Sequence, residues 1–255
     1  MQFEPIFGEK KRNLGAVNEL LKDVNADLIV LPELFNTGYT FVNKSELAEL
    51  AETKTGETAD FINSLAKEKN CWFAYGYAEK DKNFFYDSIA LMAPHGLIGT
   101  YRKAHLFGEE KFFFQPGDTG FPIFAYHGVK LGMLICFDWI YPEATRTLAL
   151  KGAQVILHTA NLVLPYCPDA LITRAIENRV FIVMADRIGK ERRPGKENKF
   201  IGKSQIVSPR GEILIRVNDE ACAKVVDINP DLALDKKATP YNDIFAERRE
   251  DLYFK

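Results

Sequence analysis

Leu131-Gly132-Met133-Leu134-Ile135-Cys136-Phe137-Asp138-Trp139-Ile140-Tyr141-Pro142-Glu143 is the stretch from which the fold can be read. Residues 129–135 are an apolar run of strand length. Pro142 then stands where a first helical position belongs, because its fixed φ suits that position and its missing N–H would find no helical partner there. Residues 143–151 continue as helix and stop at Gly152. A strand, a tight turn and a helix, with a cysteine at the bend, make a strand-to-helix unit. Working outward, residues 155–158 and 181–185 are strands around a helical pattern at 168–179. Upstream, residues 13–25 place Leu14, Val17, Leu20, Leu21 and Val24 on one helical face, and 27–31 follow as a buried strand. Two more helical patterns, around Leu47, Leu50 and Ala51 and around Phe61, Ile62, Leu65 and Ala66, precede a strand at 71–79. Residues 84–93 and 97–101 form a meander across Pro94-His95-Gly96, and 200–208 with 213–217 a hairpin across Pro209-Arg210-Gly211-Glu212. Residues 221–228 are expected as a last strand. No repeat or linker interrupts the series, so the expectation is one α/β layered sandwich in a single domain. From residue 229 the chain is charged and irregular, punctuated by Tyr241, Phe245, Tyr253 and Phe254, and is expected to pack against a neighbour.

Charge and composition narrow the function. With 33 Lys+Arg against 35 Asp+Glu over 255 residues, the net charge of −2 leaves no clustered basic surface, and nucleic acid is excluded as a partner. At 47% hydrophobic and 27% charged, the chain is globular rather than disordered. The first residues reach Lys10-Lys11-Arg12 without an apolar run, and the uncharged stretch 152–168 is broken by His158, Asn161 and Pro165. A cytoplasmic protein without a membrane partner is expected. Cys71, Cys136, Cys167 and Cys222 lack paired spacing, which suits reduced thiols.

Three apolar runs end in a reactive residue: Leu31-Pro32-Glu33, Tyr101-Arg102-Lys103 and Leu134-Ile135-Cys136. In open α/β sheets, residues just past the carboxyl ends of strands meet at the ligand crevice, so an acid, a cation and a thiol distant in sequence can converge. A thiol near neutral pH is mostly protonated and needs a base or a cation beside it to become a nucleophile. Each residue also has a plainer reading. Cys136 alone is a buried small hydrophobe, Glu33 a helix cap or surface acid, and Lys103 a solvated strand end. His105 and His158 read as structural, since no His-x-x-x-His or other paired ligand spacing is present and no metal is expected.

The local sequences add a resemblance. Pro32-Glu33-Leu34-Phe35-Asn36-Thr37-Gly38-Tyr39, Tyr101-Arg102-Lys103-Ala104-His105-Leu106-Phe107 and Ile135-Cys136-Phe137-Asp138-Trp139 resemble the nitrilase, or carbon–nitrogen hydrolase, superfamily. Gln2-Phe3-Glu4-Pro5, Gly117-Asp118, His158-Thr159-Ala160-Asn161-Leu162 and Arg174-Ala175-Ile176-Glu177-Asn178-Arg179 follow in family order, so the likeness spans nearly the whole chain. The resemblance implies a four-layer α-β-β-α sandwich. It implies a cofactor-free cysteine hydrolase of small aliphatic amides, with Cys136 as nucleophile, Glu33 as base, Lys103 as oxyanion-stabilising cation and Glu110 as a second, positioning glutamate. Glu109 is the adjacent competitor for that last role. Tyr39, Phe137, Trp139, Asn161 and Leu162 are implied around the substrate, with Tyr166 nearby. A homodimer or higher homo-oligomer using the 229–255 tail is implied as well. Hydrolysis of nitriles or of N-carbamoyl amides are the rival activities, and a non-catalytic binding protein on the same fold is the rival of another class. Asp87 departs from the Asn common at its position; this difference is expected to touch loop geometry and not the proposed catalytic residues.

Overall fold

The computed structural model describes residues 1–253, so Phe254 of the tail lies outside the described residues. Two sheets carry the fold. The first has the order β1-β2-β3-β4, from β1 (Leu28–Val30), β2 (Trp72–Asp81), β3 (Phe84–Ala93) and β4 (Gly96–Arg102). β1 runs parallel to β2, and the rest is an antiparallel meander. The second has six strands: β5 (Ile123–Tyr126), β6 (Val129–Ile135), β7 (Val155–Thr159), β8 (Phe181–Ala185), β11 (Gln205–Val207) and β12 (Ile213–Arg216). Its centre, β6-β7-β8, is parallel, with antiparallel strands at both edges.

Alternation along the strands sorts side chains into layers. On β1, β2 and β3, Val30, Ala74, Ile89 and Leu91 face the second sheet and join a core with Leu134, Ile135, Leu157 and Met184. Their neighbours Ile29, Leu31, Phe73, Tyr75 and Ala90 face the other way, against α1 (Lys10–Leu21) and α3 (Glu57–Lys69). α4 (Pro142–Leu150) and α5 (Cys167–Asn178) cover the outer face of the second sheet through Leu148 and Leu171, both fully buried, each worth about 1.5–3 kcal/mol of apolar burial. The result is the expected four-layer α-β-β-α sandwich. A short helix, α2 (Lys44–Leu50), begins at Asn43, whose side chain accepts the Glu46 N–H at 2.9 Å.

Two expectations need correction. The run 200–208 is not one strand: Phe200 and Ile201 end β10 (Lys196–Ile201), which pairs with β9 (Ile188–Arg193) as a separate hairpin, and Gly202 and Lys203, both at positive φ, break the chain before β11. The charged residues 190–199 hid this hairpin, because its ladder is mostly solvated. Residues 221–228 form no strand either; a single bridge joins Cys222 to Gln2, and without a neighbouring ladder the segment stays irregular.

All four cysteines are free. Among the described residues, no helix is long and apolar enough to cross a membrane. The tail turns back on its own chain: Phe245 packs near Arg146 and Lys236, and the Lys236 ammonium donates to the carbonyls of Asn178 and Arg179.

Candidate active site

Glu33 is placed by β2. The backbone past β1 keeps strand-like pairing, with Leu31 N–H donating to the Ala74 carbonyl at 2.8 Å and Gly76 N–H to the Pro32 carbonyl at 3.3 Å. Gly76 must be glycine here, since a Cβ would stand 2.5 Å from Glu33 Cα and 2.9 Å from Leu34 N. Gly76→Ala is therefore expected to push Glu33 off its position, lowering kcat at least tenfold and costing about 1–3 kcal/mol of stability; steady-state kinetics and thermal melts check this, and unchanged kinetics would contradict it.

Lys103 is the first residue past β4. Its N–H donates to the Asp87 carbonyl at 2.8 Å, which extends the β3-β4 ladder by one step. Cys136 is the first residue past β6 and opens a 3₁₀ turn, Cys136–Ile140, at φ +39°, a conformation non-glycine residues rarely adopt. Such a turn is held from outside. The buried Asp138 carboxylate accepts from Ile135 N–H at 2.9 Å, from Tyr101 OH at 2.7 Å and from His105 N–H at 3.2 Å, and its Oδ1 lies 2.8 Å from His105 Nδ1. His105 stacks on Tyr141, 3.7 Å between centroids. His158 Nε2 donates to the Cys136 carbonyl at 3.0 Å, and burial lowers its pKa to about 4, so the ring is neutral. Both histidines are braces of the turn.

The charged centre lies between the sheets. Lys103 Nζ donates to Glu33 Oε1 at 2.6 Å, Glu110 Oε1 at 2.8 Å and Asp87 Oδ2 at 3.2 Å, with all four side chains buried. An ammonium has three N–H donors, and here each has a carboxylate. Burial opposes the Lys103 charge, but the three carboxylates outweigh it and hold the pKa well above the ordinary lysine value. Burial raises the pKa of Glu33 and of Glu110, with Lys103 pulling each back. It also pushes the Cys136 thiol well up, reinforced by Glu33, while Lys103 and the Asn161 backbone N–H pull the other way. Burial thus favours the thiol form of the resting sulfur.

Glu110, not Glu109, is the inward acid. Its carboxylate accepts Tyr39 OH at 2.7 Å and Phe107 N–H at 2.8 Å, whereas Glu109 pairs with Lys196 at the surface. Asp87 corrects the expectation that its departure does not touch the proposed catalytic residues, since its carboxylate pairs with Lys103. It lies inside β3, in a run that reads as strand; the sequence marks it only as a departure from the Asn common at its position, and the burial of Lys103 against it reveals its place. Three carboxylates so close suggest a metal centre, but the space between them is filled by Nζ.

Beside Cys136 is a cavity of about 20 Å³, little more than one water, walled by Phe107, Phe137, Trp139, Asn161 and 162–164. The Asn161 side chain amide is buried with neither its oxygen nor its nitrogen paired. Tyr39 is outside this wall, on Glu110, and Tyr166 stands exposed at 64%. A larger cavity of about 510 Å³, lined by β1, β8 and 222–228, includes none of Glu33, Lys103, Glu110 or Cys136.

Residues 2–233 match the carbon-nitrogen hydrolase family. A nitrilase of Pyrococcus abyssi is 46% identical over 260 residues, covering 100% of this chain and 98% of that protein. An (R)-stereoselective amidase of Pseudomonas sp is 35% identical over 224 residues, covering 86% and 78%. Among solved structures, a variant of the amidase from Nesterenkonia sp. AN1, showing the result of Michael addition of acrylamide at the active site cysteine, superposes with a TM-score of 0.78 at 25% identity over 93% of this chain and 95% of that one. Sequence, fold and match over most of its length agree: the chain belongs to the carbon–nitrogen hydrolase family.

Proposed function

We propose that the protein is an amidase that hydrolyses short aliphatic amides to carboxylic acid and ammonia through a thioester on Cys136. The observation that carries this reading is the convergence of Glu33, Lys103 and Glu110 around a thiol that needs a base. Glu33 accepts the Cys136 proton as the sulfur attacks the amide carbon, a general-base contribution of about 10²–10⁴ in rate. Lys103 and the Phe137 backbone N–H stabilise the oxyanion. Because the three Lys103 N–H groups already face carboxylates, its share is mainly charge. Ammonia leaves with the proton held by Glu33, Glu33 then activates water, and Glu110 aligns the amide or that water. No metal or organic cofactor enters these steps.

Preference for an amide over a nitrile follows from the site's acceptors. Glu33, Glu110 and the unpaired Asn161 oxygen favour a substrate with N–H donors, and a site built for donors discriminates against an analogue lacking them. The nitrilase reading is the second, favoured by the 46% identical relative of that name. Matched amide and nitrile substrates separate the two by ammonia release: the amide is expected to lead by at least tenfold, and a nitrile lead of that size overturns the reading. Carbon dioxide release from an N-carbamoyl amine would point to the third activity. Phe107, Phe137, Trp139 and Leu162 crowd the thiol, so aromatic and peptidic amides are expected to trail the short aliphatic ones.

We also infer a homodimer. Ile140 and Tyr141, Leu150 of α4, Ile176 of α5 and Leu232, Leu234 and Tyr241 of the tail are exposed apolar side chains that pairing could cover. Light scattering at micromolar concentration is expected to give twice the 28.9 kDa chain mass, and a monomer alone contradicts it.

A further inference from the structure

We infer that Asp87 is a positioning residue: it remains a protonated carboxylic acid and donates through Oδ1 to Glu33 Oε2, keeping Glu33 ionised and aimed at the thiol. This rests on the reading of Glu33 as the base. Glu33, Asp87 and Glu110 each bring one oxygen within 4.8 Å of the others, around one ammonium, in a site closed to water. Three carboxylates against one lysine would bury two uncompensated negative charges, and buried charges that lack partners take up protons instead.

Hydrogen bonding shows where the proton belongs. Glu110 is supplied with donors by Lys103, Tyr39 and Phe107, an environment that favours its ionised form. Glu33 and Asp87 each receive one bond, from Lys103, and each keeps one buried oxygen without a partner: Glu33 Oε2 and Asp87 Oδ1. One proton between those two oxygens satisfies both. It sits on Asp87, whose bond to Lys103 is the longer at 3.2 Å against 2.6 Å for Glu33. A bond so shared works against the burial that raises the Glu33 pKa and adds to the burial that raises that of Asp87. Cys136 bears on the cluster from the second sheet and Tyr39 from the loop after Glu33. Glu79 and Arg102, neighbours on β2 and β4, pair with each other beside Ser88, which alternation puts on the opposite face of β3 from Asp87.

Glu33 can thus take the thiol proton and pass it on while its second oxygen stays fixed. Asn at this position supplies the same donor without titrating, whereas Leu supplies none. Three readouts on the whole protein test the assignment. Infrared difference spectra at neutral pH are expected to show a protonated carboxylic acid carbonyl stretch that disappears in Asp87→Asn. Asp87→Asn is expected to keep kcat within about threefold, with the acid limb of the kcat/KM profile moved by less than half a pH unit, because a neutral group replaces a neutral group. Asp87→Leu is expected to lose at least a hundredfold in kcat. A carbonyl band that persists in Asp87→Asn puts the proton elsewhere and overturns the inference. So does an acid limb that falls by a unit or more in that variant, since this is the signature of removing a negative charge beside Glu33. The infrared result needs no turnover, so it stands or falls separately from the amidase reading, which fails instead if Cys136 proves dispensable.

Discussion

Cys136→Ala is expected to abolish turnover and leave the fold in place. The thiol is small and buried, and alanine adopts the φ of +39° with no more strain than cysteine, so the turn keeps its braces from Asp138 and His158. Removing one sulfur from a close-packed site costs little stability compared with the 2–5 kcal/mol of a Leu→Ala deletion in a core. The catalytic loss is of another order. Without an acyl acceptor the two-step path does not exist, and loss of a nucleophile that acts as a unit with its base lowers kcat by about 10³ or more. Circular dichroism and melting temperature establish that the variant is folded, and retention of even a tenth of the wild-type kcat sinks covalent catalysis at this residue.

Glu33→Gln is the second large effect, and it should strike both half-reactions. Glutamine keeps the length of the side chain, and Lys103 retains Asp87 and Glu110 as partners, so the cluster is expected to hold. What disappears is the only proposed acceptor for the thiol proton. Burial already pushes that thiol well up, which disfavours a thiolate formed unaided. A decrease of about 10²–10⁴ in kcat is expected, with neither a burst of ammonia nor an acyl adduct. Glu110→Gln differs in kind: it leaves the base intact and is expected to form some adduct with a reactive substrate while turning over poorly. If both variants give the same full burst, the division of labour between the two glutamates is wrong. Because burial raises the pKa of Glu33, the acid limb of wild-type kcat/KM is also expected above the ordinary carboxylate range, with activity lost as pH falls and Glu33 protonates.

Much of this site is legible in the sequence. Glu33, Lys103 and Cys136 each sit just past the end of an apolar strand run, and strand ends are where sheet topology gathers reactive groups. The run 129–135 and Pro142 marked the β6-to-α4 bend almost to the residue. Glu110 was a different case, one of two adjacent acids in a charged loop, and only the hydrogen bonds of Tyr39, Phe107 and Lys103 separate it from Glu109. Asp87 was hidden for a deeper reason. A polar residue within a strand ordinarily points to solvent, and here stacking of the two sheets seals that face around a lysine. The hairpin of β9 and β10 escaped notice because its charges, among them Arg192 paired with Glu197, read as loop. Its Glu191, however, reaches back to accept the Tyr39 and Thr40 N–H groups and pairs with the buried Arg187, so a solvated-looking segment helps hold the loop that carries Tyr39.

The claim on which the account depends is a covalent bond between substrate and one sulfur. Mass spectrometry of the Glu110→Gln protein, quenched during reaction with a short aliphatic amide and digested, measures it directly. A mass gain equal to the acyl group is expected on the peptide containing Cys136 and absent from the same protein carrying Cys136→Ala. An acyl group found on another residue, or hydrolysis by the Cys136→Ala protein at a tenth of the wild-type rate or more, would contradict it.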